Sequence, residues 1–103
     1  MRRWCRWAAP LLLVGCLKYD EGRAEEGELA CRLREVCNTL ETVGYDDVES
    51  CITSATGQDW GDCPDYSAER LLDCLDAWEA AVETKNCALS EDPPDVCAQV
   101  CGA

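Results

Sequence analysis

Residues 67–84, SAERLLDCLDAWEAAVET, carry Leu71, Leu75, Trp78 and Val82 at steps of four, three and four. That spacing puts all four on one side of an α-helix. Ser67 stands where its hydroxyl can accept an otherwise unpaired amide of the first turn, so a helix is predicted over Ser67–Thr84. The carboxylates Glu69, Asp73, Asp76, Glu79 and Glu83 mostly fall on the opposite, wetted face.

Working outward, Leu29, Leu33, Val36, Leu40 and Val43 alternate steps of four and three, which predicts an earlier helix from Glu28 to Val43 with Gly44 as its stop. Tyr45, Val48, Ile52 and Ala55 repeat the pattern, with Asp46 and Asp47 in the first turn, for a second helix over about Asp46–Ala55. The run from Gly57 to Asp65 is rich in turn formers and reads as a loop. Pro93-Pro94 blocks continuation, and residues 96–101 form a short last helix closed by Gly102. No segment has the period of two that a strand requires. The fold class is therefore all-α: a small disulfide-stapled bundle of three main helices and a short C-terminal one, confined to residues 28–103.

The region from Leu17 onward holds all 21 acidic residues but six of the nine cations, a net charge of −15. Such a surface repels phosphate backbones and anionic head groups, which argues against nucleic-acid binding and electrostatic membrane adhesion. High charge with few aromatics also fits disorder, but ten cysteines and regular apolar spacing predict a folded chain.

Residues 1–16, MRRWCRWAAPLLLVGC, begin with three arginines, continue through an apolar stretch over Trp7–Val14 and end on a small residue before cysteine. This is the layout of an export signal, and the apolar stretch is far shorter than the roughly 20 residues of a membrane-spanning helix. Leu13-Val14-Gly15-Cys16 resembles the lipobox of bacterial lipoproteins. The resemblance implies that residues 1–15 are a signal peptide removed by cleavage after Gly15. Cys16 then becomes the first residue and carries the lipid. Two or three acyl chains, at about 0.8 kcal/mol per buried CH₂, suffice for stable anchoring. An ordinary secretory signal would need a small-x-small cleavage site; the nearest, Gly22-Arg23-Ala24, is distant and carries an arginine. In enterobacterial members an Asp after the lipidated cysteine retains the protein at the inner membrane; here Leu17 implies the outer membrane of a Gram-negative cell. Residues 16–27, polar and containing two glycines after the anchor, read as a lipidated cysteine followed by a flexible tether lifting the domain off the membrane. Cysteines near helix ends, the Cys74-Leu75-Asp76-Ala77-Trp78 segment and the closing Cys97-x-x-x-Cys101 are similar to short cysteine-rich lipoproteins of large Gram-negative genomes, a group that implies no particular activity or site.

Setting aside Cys5 and Cys16 leaves Cys31, Cys37, Cys51, Cys63, Cys74, Cys87, Cys97 and Cys101, an even set in an exported chain, which predicts four disulfides. Along a continuous helix Cys74 and Cys87 would be about 20 Å apart and Cys31 and Cys37 about 9 Å, too far to bridge. Cys37 and Cys51 lie symmetrically about Gly44, so an antiparallel hairpin favours a Cys37–Cys51 bond.

Paired C-x-x-C ligand spacing and histidine are both absent, so zinc binding, dithiol redox catalysis and Ser-His or Cys-His nucleophiles are poorly supported, and no cofactor or metal is assigned. Asp59, Asp62 and Asp65 offer oxygen ligands for calcium but lack the order of an EF-hand loop. Trp60, in a polar loop between Gly57 and Gly61, either folds back over the corner between helices 2 and 3 or stays exposed as a partner contact, and is the one binding residue singled out. The expectation is a membrane-anchored, extracytoplasmic, non-enzymatic binding or structural module of the cell envelope, attached through lipid on Cys16 and meeting an unidentified envelope protein. The competing expectation is a freely secreted disulfide-rich effector or inhibitor.

Overall fold

Helix α3, Ala68–Thr84, forms where the leucine spacing places it. Ser67 caps it, its hydroxyl accepting from the Arg70 amide at 3.2 Å. The computed structural model describes residues 17–102, and within them the protein is all-helical, without a strand. Helix α1 spans Tyr19–Val36, α2 spans Val48–Thr56, and the chain after α3 bends through two 3-10 turns, Cys87–Ser90 and Asp95–Gln99. Leu33, Leu71, Leu75 and Val100 are fully enclosed, with Trp78, Cys74 and Cys97 beside them. The core therefore lies between α1, α3 and the C-terminal segment.

Helix α1 departs from expectation at both ends. The segment after Leu17 is not a flexible tether: Tyr19–Gly27 is the first half of α1, and Leu17 itself is buried in the core. The two glycines that suggest flexibility serve close approach instead. A Cβ on Gly22 would collide with Leu71 Cδ2, and the same space is bounded by Leu17 Cδ1 at 3.5 Å. A Cβ on Gly27 would lie 2.6 Å from Ala55 Cβ on α2. The bare backbone of α1 is thus the socket for one helix on each side.

At the other end α1 stops at Val36, seven residues short of Val43. Asn38 adopts the left-handed conformation at φ 58°, the Thr39 amide donates to the Arg34 carbonyl at 2.9 Å, and the Asn38 amide donates to Glu35 at 3.2 Å. These are the two bonds of a Schellman stop, with asparagine doing what glycine usually does. Val36 and Val43, expected on the core stripe, are 37% and 43% exposed. Gly44 is left-handed as expected (φ 95°) but closes only a 3-10 turn over Glu41–Val43. Helix α2 begins one residue after Asp47, whose carboxylate accepts from the Ser50 amide at 2.8 Å, so this aspartate caps the helix rather than lying inside it.

The early stop resets the disulfide register. The contacts of Gly27 with Ala55 and the bond Cys31–Cys51 show α1 and α2 running antiparallel about residue 41 rather than Gly44. The expected Cys37–Cys51 bond is therefore not formed. Cys37 joins Cys87, tying the ends of α1 and α3, while Cys74–Cys97 and Cys63–Cys101 tie α3 and its preceding loop to the C-terminal segment. All eight cysteines of the described region pair with one another, at Cα separations of 4.9–5.8 Å. The pairs Gly22 with Leu71, Glu26 with Trp78 and Cys37 with Cys87 ascend together, so α1 and α3 run the same way, while α2 runs antiparallel along another side of α1.

Helix propensity alone gives Gly27→Ala about 1 kcal/mol of added stability. Packing reverses the sign, because the new methyl must push α1 and α2 apart, and overpacking of this kind costs about 1–3 kcal/mol. Denaturant unfolding with the disulfides intact is expected to show Gly27→Ala less stable than wild type; a gain would contradict the close approach.

Candidate functional site

A chain of polar and aromatic groups runs along the half of α1 that the apolar pattern missed. The Tyr66 hydroxyl donates to the Leu17 carbonyl at 2.6 Å, and its ring meets Tyr19 edge-on at 5.6 Å. The Arg23 guanidinium lies 5.4 Å from the centroid of the Tyr19 ring, pairs with Glu26 at 2.6 Å and donates to the Cys97 carbonyl at 3.3 Å. The other Glu26 oxygen accepts from the indole N–H of Trp78 at 3.2 Å. One half-buried carboxylate thus accepts from both a cation and an indole donor that apolar packing alone would not satisfy. Burial works against the Arg23 charge, but hydrogen bonds and charges from Tyr19 and Glu26 outweigh it and raise the pKa.

The Glu26 carboxylate also lies with the sulfurs of Cys74 and Cys97 inside a 4.8 Å cluster of metal-ligating atom types. The two sulfurs are bonded to each other, so they present no thiolates, and a single carboxylate remains. In the oxidised protein this node is a lock between α1, α3 and the C-terminal segment, not a metal centre.

An open concavity lies at the opposite end of α1. A groove of about 490 Å³ is lined by Glu35, Asn38, Leu40, Glu41, Asp46, Asp47 and Val48. It exists because the Asn38 stop and the 3-10 turn bend the chain out and back before α2. Four carboxylates around Leu40 and Val48 suit a cationic, partly apolar group and repel anions. One Asp47 oxygen is committed to capping α2, so Glu35, Glu41 and Asp46 carry most of the free negative charge.

The other singled-out residues are dispersed. Cys16 lies outside the described residues. Trp60 is half-buried and not part of the core; it sits at the apex of a turn in which the Gly61 amide donates to the Asp59 carboxylate at 3.0 Å. That bond occupies Asp59, while Asp65 packs its side chain against Gly102, and among the described residues these loop carboxylates form no group of three ligating atoms. On α3, Glu69, Asp73, Asp76 and Glu83 are exposed and Glu79 is half-buried. Arg23 and Glu26 were hidden in the sequence because Tyr19, Gly22, Arg23, Glu26 and Ala30 have helical spacing without hydrophobicity. No protein-family model, curated protein or solved structure matches the chain.

Two outcomes test the polar chain. Glu26→Ala leaves the Arg23 charge and the Trp78 N–H without their acceptor and is expected to cost about 2–3 kcal/mol in denaturant unfolding. A loss within the noise of that measurement would make the node ornamental. Burial raises the Tyr66 pKa above its ordinary 10.0, with Arg23 lowering it and Glu21 raising it. The folded state therefore favours the protonated phenol, so its contribution is complete below the unfolded value and is lost as pH climbs through the raised folded one. Above about pH 10, stability is expected to fall more steeply with pH in wild type than in Tyr66→Phe; parallel curves would exclude Tyr66 as the cause.

Proposed function

We propose that the protein is a lipid-anchored, extracytoplasmic module without catalytic activity, serving a binding or structural role in the cell envelope, by resemblance at the outer membrane of a Gram-negative bacterium. Four disulfides are the chemistry of an oxidising, extracytoplasmic compartment. The observation that carries the reading further is the closed pairing of Cys31 through Cys101. With those eight cysteines paired among themselves, the described domain keeps no free thiol that would compete for the lipobox Cys16. The acidic groove is the surface such a module offers to a cationic segment of an envelope protein, and the same charge disfavours nucleic acid.

Intact mass of the protein extracted from membranes, with and without reduction and beside Cys16→Ser, tests the proposal. A chain beginning at acylated Cys16, with eight thiols released only on reduction, is the expected result. An unacylated chain recovered from the medium would favour the secreted effector instead.

A further inference from the structure

The tether expected between the lipid and the domain is absent from the fold. Leu17, the residue covalently joined to Cys16, is 3% exposed. Its side chain sits over Gly22 and its carbonyl is held by the Tyr66 hydroxyl at 2.6 Å. Helix α1 then starts at Tyr19, with the Gly22 amide bonding to the Lys18 carbonyl at 2.9 Å. Successive Cα atoms are about 3.8 Å apart, so the anchor residue stands one peptide unit from a fixed point in the core.

The surroundings of that point define one end of the molecule. Tyr66 leads directly into the N-terminus of α3, the Ser67 amide donates to the Val100 carbonyl at 2.8 Å, and Arg70 donates to the Gln99 carbonyl at 3.1 Å. Gly102 packs on Asp65. Leu17, the start of α3 and the C-terminal turn are thus gathered together. The acidic groove begins at Glu35 and Asn38, at the far end of α1, and 18 residues of helix separate the two ends by about 27 Å.

We infer that, with Cys16 acylated, the domain stands on the bilayer by its Leu17 end with no intervening tether, and its Glu35–Val48 groove faces away from the lipid. This rests on the lipid-anchor reading above. The occupant of the Leu17 end is the lipid surface because the chain leading there is one residue long. Attraction to head groups adds little: exposed Lys18 and Arg70 are outnumbered by exposed Asp20, Glu21, Asp65 and Glu69, so the acyl chains supply the affinity and the fixed Leu17 supplies the orientation. Swinging is restricted to the few bonds of Cys16, and any larger excursion must first pull Leu17 from its site.

The test uses the lipidated protein, its acylation verified by mass, in zwitterionic nanodiscs containing a phosphatidylcholine spin-labelled at the head group. Attenuation of backbone amide signals reports proximity to the lipid surface. Attenuation at Tyr66–Arg70, which approach the lipid only through the fold, is expected to exceed that at residues 35–48 by roughly tenfold or more, given their separation of about 27 Å. Inserting about twelve flexible residues between Cys16 and Leu17, a span of roughly 20 Å, leaves the fold and the flotation with discs intact and should flatten the gradient. A uniform or reversed gradient in the native protein, with acylation and flotation preserved, would overturn the orientation while leaving the anchor reading standing. Failure to find acylated protein at all would overturn both.

Discussion

Covalent closure of the chain is the constraint on which the rest of this structure depends. Few large side chains are fully enclosed, chiefly Leu33, Leu71, Leu75 and Val100, and a domain of this size buries too small a fraction of its surface to rely on them. The four disulfides restrict the unfolded chain by closing loops with sequence separations of 20, 50, 38 and 23 residues. Each contributes about 2–4 kcal/mol on the chain-entropy account. Their distribution also matters. Cys37–Cys87 joins the ends of two parallel helices that share no short connection, and Cys74–Cys97 pins an irregular C-terminal segment whose 3-10 turns would not persist alone.

With the framework held covalently, the interfaces are free to be polar and close. The first half of the α1 surface that meets α2 and α3 is built from Gly22, Gly27, Arg23 and Glu26, and only further along do Leu29 and Leu33 supply apolar contacts. Glycine brings the backbones together, and Glu26 accepts from both Arg23 and Trp78, so neither of these donors lacks an acceptor. The net charge of −15 from Leu17 onward would loosen a domain held only by a weak core. Crosslinks oppose that repulsion without adding apolar surface, so carboxylates can crowd the groove at the end of α1.

The same division explains what was legible in the sequence. Helix α3 was readable because its buried stripe is apolar and Ser67 sits where a cap is needed. The cysteine count was readable because an exported chain pairs its thiols, and Gly102 closes the C-terminal turn at φ 93° as glycine in that place should. The first half of α1 was not readable, because its contact face has helical spacing but no hydrophobicity, and glycine in a polar run signals a linker as readily as a close contact. Asn38 hid the end of α1, since asparagine enters the left-handed region less often than glycine and the apolar spacing runs on through Leu40 and Val43. That single stop moved the hairpin centre by three residues and exchanged Cys37 for Cys31 as the partner of Cys51. Disulfide connectivity inferred from helix registers is only as good as the helix ends.

The groove and the Leu17 end of the molecule are linked by the helix between them. If residues 17–27 were a flexible linker, the position of the acidic groove relative to a membrane would be averaged over all directions, and its carboxylates would meet the head-group layer as often as the solvent. As the first half of α1, the same residues join the end held at Leu17 to the end that carries Glu35 and Asn38 through one rigid element. Under the proposed lipid anchor, that element would hold the four groove carboxylates away from the head-group layer rather than against it. Length that looks like reach in the sequence becomes direction in the fold.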